Sequence, residues 1–418
     1  MTLMQMPSLS ALKPNLNINL PFGRGGASVV GLDIQPGYVA AVQAHVNGGI
    51  VVERAAGAAL PPDVMREGEV LDEQELGDAL RELFHDGRLG KRVRVGLANQ
   101  RSVLRMLELP PVTDRKELDA AVRFQAEDQV PMPLAGAVLD YHSLGVFDTP
   151  NGPRQRVIVV AAQREMVERL LRAVRRAGLR ADGIDLSAFA LIRSLYRAPA
   201  AVAAAAAGEG DGEGTPQERV LYLNIGGLTN MAIAESTLCR FTRVVGGGLE
   251  AMASEIAERR GIPLLQARAL LAEFELPRAA EAPNAEPLAD VPQLPDPETV
   301  ETWQLAQAPV AVPEPAPSVD PEVRMVLENG VREIVGEVRN SLDFHRSQEG
   351  GGEVRHVVLS GPALEMRGFC EMLEADLGLE VRREAVCFAD RAEVDAAHHV
   401  SPHRLAIAAG LAAEEAPR

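Results

Sequence analysis

Apolar residues recur along the chain with two different periods, and the alternation between those periods organises it. Runs at 92–98 ("RVRVGLA"), 156–162 ("RVIVVAA"), 219–225 ("RVLYLNI") and 354–360 ("VRHVVLS") read as buried or half-buried strands. Residues 114–130, 164–178, 248–261 and 321–347 instead carry apolar positions three and four apart, the spacing of a helix with one buried face. Strands alternating with helices over short loops predict sheets covered by helices, an α/β protein and not a bundle or a sandwich. The pattern lapses in two places. Residues 276–320 are rich in Pro, Ala and acids and have neither period, the composition of a solvated linker. Residues 198–218 pass from an Ala run into a Gly-acid loop that divides the chain into halves.

The stretch "VVGLDIQPGYVAAVQ", residues 29–43, rises as an apolar run, turns through Pro-Gly and descends as a second run, with Asp33 near its crest. A carboxylate at the end of a buried strand must find solvent, a donor or a cation. "LDIQPGYVAAV" (32–42) can be laid against "LNIGGLTNMAI" (223–233), which puts Asn224 where Asp33 stands. Either hairpin alone is an ordinary β-turn. Two of them at matching places in two α/β halves, each with a side-chain oxygen at the crest, point to a ligand shared between the halves. Turn N–H groups make a nest for phosphate oxygens, and a crest oxygen can face phosphate-bound Mg²⁺ through water. In "VVLSGPALEMRGFCEML" (357–373) a strand runs through Ser-Gly-Pro straight into a helix, which brings backbone close to whatever lies at the strand's end. "RLAIAAGLAAE" (404–414) is a small-residue helix suited to close packing.

Composition narrows the classes. A chain of 418 residues, 46% hydrophobic and 24% charged, is a soluble globular protein, of about two to three domains at this length. A net charge of -17 argues against a general nucleic-acid binder, because phosphate backbones call for Lys and Arg to replace their counterions. Cys239, Cys370 and Cys387 have neither Cys-x-x-Cys spacing nor a His cluster beside them, so they read as reduced and structural. The adjacent His398 and His399 do not share an element face and are poorly placed to ligate one metal. The first residues lack the uninterrupted apolar core of an export signal, and no window is apolar for the length of a membrane span. The expected location is the cytoplasm, with any membrane role exercised through a partner or a peripheral contact.

The order of "GLDIQPGYVAAV", "LYLNIGGLTNMAIAE", "TRVVGGGLEAMASEIA", "VVLSGPALEMRGFCEMLEADLGLEV" and "AIAAGLA" resembles the actin-like ATPase superfamily, and within it the type IV pilus assembly protein PilM family. The resemblance extends to "LPPVTDRKELDAAVRFQAEDQVPMPLAGAVLDYHSLG" (109–145) and "EVRNSLDFHRSQ", and covers most of 28–415. It implies an actin-like, ribonuclease H-like α/β fold of two lobes with an FtsA/PilM-type inserted subdomain. On that reading 1–27 is a flexible tail and 28–103 the first lobe, completed by 182–200 and 400–415. The inserted subdomain is 104–181, the second lobe is 219–275 with 321–399, and 276–320 is a disordered linker. Carried across by position, Asp33 would face Mg²⁺ through water, and Gln35, Pro36, Gly37 and Tyr38 would approach the phosphates of ATP. Asn224 with Gly226, Gly227, Leu228 and Thr229 would form the opposing phosphate loop. Gly246, Gly247 and Gly248 would line the cleft floor, and Gly361 and Pro362 would lie by the adenosine.

The chain departs from the family pattern at the points that hold phosphate. Gln35 and Pro36 replace small turn residues, Ala40 stands where a Lys is common, and Tyr38 adds bulk. Asn224 replaces an acid, Leu271 replaces a Lys near the nucleotide, and Pro362 replaces the second Gly of the adenosine loop. Losing a phosphate cation, a metal-facing charge and a turn donor together weakens the clamp that phosphoryl transfer relies on. The expectation is weak or absent ATP and Mg²⁺ binding with little or no hydrolysis, and no catalytic residue declares itself. The resemblance implies a cytoplasmic scaffold of the inner-membrane assembly platform of a type IV pilus or related secretion machine. Its partners would be the cytoplasmic N-terminal peptide of a PilN-like membrane protein and other platform and motor proteins, with self-association open. An active actin-like ATPase and an FtsA-like division protein are the alternatives; the second calls for an amphipathic C-terminal membrane helix, where this chain reads "LAAEEAPR". "NINLPF" (17–22) resembles the Asn-Leu-Pro peptide that PilN-type partners present: either Ile18–Pro21 occupies that groove or the similarity is accidental.

Overall fold

The computed structural model describes residues 29–46, 49–197, 218–272, 320–348, 350–394 and 400–413. The tail with its "NINLPF" segment, nearly all of 198–218, the linker up to 319 and the His398–His399 pair lie outside them. The chain opens with three antiparallel strands, β1 (Val30–Gln35), β2 (Tyr38–Val46) and β3 (Ile50–Ala59). A small hairpin, β4 (Met65–Arg66) and β5 (Glu69–Val70), precedes helix α1 (Glu73–Asp86). Asp72 starts α1 by accepting from the N–H groups of Gln74 and Glu75, which otherwise have no partner in a first turn. Strand β6 (Arg92–Leu97) then lies parallel to β1.

Next come β7 (Val103–Leu109), α2 (Arg115–Gln129), β8 (Ala137–Thr149) and β9 (Gly152–Gln163), whose strands form a three-stranded sheet in the order β7-β9-β8. Leu107, Leu109, Val157 and Val159 on one face of that sheet bury Val122 of α2, giving this unit a small core of its own. The chain returns to the first sheet through α3 (Arg164–Arg176) and β10 (Arg180–Leu186), which pairs with β6, and then forms α4 (Ser187–Leu195).

A second sheet follows from β11 (Arg219–Ile225), β12 (Thr229–Glu235) and β13 (Leu238–Val245). Helices α5 (Leu249–Arg260), α6 (Leu264–Ala272) and α7 (Pro321–Ser347) cover one face, and β14 (Val354–Ser360), α8 (Phe369–Leu377) and β15 (Glu380–Arg383) complete it in the order β13-β12-β11-β14-β15. Finally β16 (Cys387–Val394) pairs parallel with β3, making the first sheet β10-β6-β1-β2-β3-β16, and α9 (Ala406–Ala412) packs on β1 and α4.

The division of the chain given above is redrawn in two places. The inserted unit occupies 103–163, not 104–181: the amphipathic face of α3, with Val167, Leu170 and Val174 buried, packs in the first lobe's core, and β10 is a central-sheet neighbour of β6. β16 belongs to the first sheet although it falls within 321–399, because its backbone groups find their partners on β3. Two wholly buried helices fill the centre of the first lobe, and one of them, α4, also joins it to the second. α4 has every residue buried, between the first sheet and Tyr222, Ala232 and Val358 of the second. α9 can lie this close because Gly31 and Gly410 carry no side chain: a Cβ at Gly31 would sit 1.8 Å from the Ala408 carbonyl oxygen, and one at Gly410 1.9 Å from that of Ala190. Within this seam Arg193 pairs with Asp185 and donates from Nε to the Gly410 carbonyl at 3.0 Å. That satisfies a cation that is only 9% exposed.

Candidate functional site

Asp33 and Gln35 lie two residues apart on β1 and so share a face. Gln35 Nε2 donates to Asp33 Oδ2 at 2.7 Å, and both residues are buried. Burial pushes the Asp33 carboxyl up to about 7, against the Gln35 hydrogen bond, which favours the ionised form. Around neutral pH the crest acid is therefore shared between a neutral and a charged form.

Across the cleft, Asn224 of β11 donates from Nδ2 to Ser360 Oγ at 2.9 Å, while its Oδ1 is buried without a partner. Asn230, its ladder neighbour on β12, is also buried, with both amide atoms unpartnered. Orphaned polar atoms of this kind mark a place where a protein interior holds water, an ion or a ligand. The Gly226–Leu228 turn closes with Gly226 N–H donating to the Leu228 carbonyl at 2.9 Å, and Leu249 N–H at the start of α5 donates to the Gly226 carbonyl at 2.8 Å.

The two crests touch. A Cβ on Gly226 would stand 2.3 Å from Gln35 Oε1, and one on Gly227 would stand 2.1 Å from the Pro36 carbonyl oxygen. Two arginines span the same gap from either side. Arg268 of α6 donates to Glu250 and, at 2.8 Å, to the Leu60 carbonyl of the first lobe. Arg404, beside α9, donates to both Glu365 oxygens at 3.0 and 3.1 Å, and its guanidinium lies 4.8 Å from the ring centre of Tyr38. A cavity of about 130 Å³ remains between the lobes. Pockets for drug-sized molecules are roughly 300–1,000 Å³.

The structure brings together Asp33, Gln35, Pro36, Gly37, Tyr38, Asn224, Gly227 and Pro362 as walls of that cavity. Gly226 lies against Gln35 beneath it, and Leu228 and Thr229 point into the core, at 2% and 0% exposure. Gly246 faces Gln100 at a separate seam between the lobes, Gly247 lies near Glu333, and Gly248 lets α5 approach the Gly226 and Gly227 carbonyls. Gly361 has φ +98°, and its N–H donates to the His403 carbonyl at 3.0 Å, so that donor is not turned to the cavity. Leu271 does line the cavity, as do Glu250, Arg268, Glu365, Met366 and Arg404, which sequence reasoning missed. Sequence offered no distinguishing signal for them: Arg268 and Arg404 stand in short segments whose charge reads as ordinary surface.

ATP with Mg²⁺ does not fit these residues as they are arranged. The turns that would flank a triphosphate are in contact, the crest acid is hydrogen-bonded to Gln35, and both cavity arginines are paired with carboxylates.

Two sheets, each opening with a crest-bearing hairpin and joined through the buried helix α4, make this an actin-like α/β protein with an inserted three-stranded unit. One solved structure agrees on the fold. The chain is similar to a PilM-PilN type IV pilus biogenesis complex, with TM-score 0.66 and 22% identity over 92% of this chain and 98% of that one. It also matches the ethanolamine utilization protein EutJ from Carboxydothermus hydrogenoformans, with TM-score 0.46 and 15% identity over 93% and 90%. MreB5 of Spiroplasma citri bound to ADP matches with TM-score 0.44 and 13% identity over 91% and 94%. The sequence profile of the type IV pilus assembly protein PilM matches residues 31–290, and the chain belongs to that family.

Proposed function

We propose that this pilus-assembly protein works as a scaffold whose nucleotide cleft is degenerate, and that it holds the cytoplasmic N-terminal peptide of a PilN-like inner-membrane protein. The observation that carries the degenerate cleft is the contact of Gln35 and Pro36 with Gly226 and Gly227, in the place where phosphates would have to pass. Prolines and amides there supply no charge to hold a phosphate, and the nearby arginines already have carboxylate partners. The partner is supported by family membership and by the likeness to a structure titled as a PilM-PilN complex. Among the described residues, two of the most exposed large apolar side chains, Phe124 at 73% and Val146 at 58%, lie on the inserted unit, which favours that unit as the partner face. No described helix is long and apolar enough to cross a membrane, so attachment to the inner membrane falls to the partner or to a peripheral contact.

The test titrates the full chain with a synthetic N-terminal peptide of a PilN-like protein, with and without Mg-ATP. Calorimetry with Mg-ATP alone follows, using Asp33→Ala as control. Peptide binding that is indifferent to ATP, with no turnover, agrees with the scaffold. ATP hydrolysis that Asp33→Ala abolishes would replace it with the active-ATPase reading, and absence of peptide binding would remove the partner.

A further inference from the structure

Exposed cations gather at the end of the first sheet farthest from the cleft. β6 and β10 both begin there, with Arg92 and Arg180, and run parallel to β1 towards Asp33. Arg180 N–H donates to the Lys91 carbonyl at 2.8 Å, which ties the two loops together. Arg175 and Arg176 finish α3 just above, where Arg81 of α1 donates to the Arg176 carbonyl at 2.8 Å. Arg88 stands in the loop between α1 and β6.

Arg88, Lys91, Arg175 and Arg176 are all exposed, and none makes a side-chain hydrogen bond or ion pair among the described residues. Arg92 and Arg180 both reach the Asp182 carboxylate. Arg81 is matched by Asp78, Arg176 acts at longer range on the Glu73 carboxylate, and the exposed acids on this end include Glu53, facing His45 at 3.1 Å, Glu82, and Asp86, facing His85 at 2.8 Å. Positive charge is therefore in excess here, on a chain whose net charge is -17.

We propose that this end of the first lobe is a membrane-facing surface that takes the anionic headgroups of phospholipids. At physiological salt, charges farther than about 8 Å from a surface are largely screened, so an anionic bilayer feels the cationic end and not the acidic body behind it. The same polarity sets the orientation, with the cleft turned away from the lipid. Nucleic acid is the poorer match, because single strands are held by stacking on aromatic rings and Phe84, the aromatic residue of α1, is only 6% exposed. Each Lys or Arg close to an anionic leaflet raises partition by roughly fivefold.

The test is co-sedimentation of the full chain with vesicles of phosphatidylcholine alone and of phosphatidylcholine mixed with phosphatidylglycerol, without any protein partner. Its outcome is thereby independent of the peptide-binding reading. Binding is expected to the mixed vesicles only and to weaken with salt. The double variant Arg175→Glu/Arg176→Glu should lower partition by at least roughly 25-fold, two cations at about fivefold each, with an unchanged thermal midpoint. Arg88→Glu/Lys91→Glu, on the neighbouring loop, should do the same. Equal binding to both vesicle types, no binding to either, or variants that bind like the parent would overturn the proposal. Salt-sensitive binding to polyglutamate without vesicle binding would overturn it in favour of an acidic protein partner.

Discussion

Replacing Asp33 by Asn should make the protein more stable at neutral and alkaline pH, although it removes a charged residue from the crest of a candidate ligand site. The reason lies in burial. Asp33 has its carboxyl pushed from 3.8 up to about 7 by desolvation, with the Gln35 hydrogen bond opposing. Below about pH 4 the folded and unfolded chains both carry the proton, and the site imposes no penalty. As pH rises towards 7 the unfolded chain releases the proton while the folded chain keeps it, so stability falls; above 7 both are ionised and the loss levels off. At about 1.4 kcal/mol for each pH unit between the two values, the full penalty is on the order of 4 kcal/mol. Asn is isosteric, still accepts from Gln35 Nε2 and carries no charge. Urea denaturation of both proteins from pH 4 to 8.5 is the assay, read as midpoints at a common slope. The variant should match the parent at the acid end and exceed it increasingly up to about pH 7. A difference between the two that stays constant with pH would refute the reasoning and mean that the carboxyl ionises normally in the fold.

Gly227→Ala places a Cβ 2.1 Å from the Pro36 carbonyl oxygen and must part the two crests; hydrogen exchange at 35–38 and 226–229 should accelerate, with a stability loss of about 1–3 kcal/mol. Arg193→Ala leaves Asp185 buried without its cation, and unfolding free energy should drop by about 3–5 kcal/mol. In the double variant Arg193→Leu/Asp185→Leu much of that loss should return, and denaturation of the two proteins side by side checks it.

Much of the fold could be read from local pattern. The hairpin echo of 32–42 and 223–233 is short-range, so its register and the facing of Asp33 and Asn224 followed from residues close in sequence. The amphipathic face of α3 was equally plain, but its destination was not: nothing local says whether Val167 and Leu170 cover the inserted sheet or the first lobe. The pairing of β16 with β3 joins segments more than 300 residues apart, and no pattern in either one names the other. The site suffered the same way. Its hairpin residues were visible, while Arg268 and Arg404 reach it from short segments whose charge looks like ordinary surface until the lobes meet. The three glycines at 246–248 looked like one loop with one purpose, yet each answers a different neighbour.

The strand β16 and helix α9 carry a consequence for how the protein is made. The second sheet draws all its strands from one uninterrupted stretch, 219–383, and can close as soon as that stretch has left the ribosome. The first sheet cannot. Its edge strand is 387–394, and the helix that seals β1 is 406–412, so the lobe begun first is finished last. Synthesis proceeds at about 5–20 residues per second, which leaves the apolar face of β1 and β2 uncovered for tens of seconds while the rest of the chain emerges. Nascent chains should thus engage a chaperone through residues 30–46 until α9 arrives.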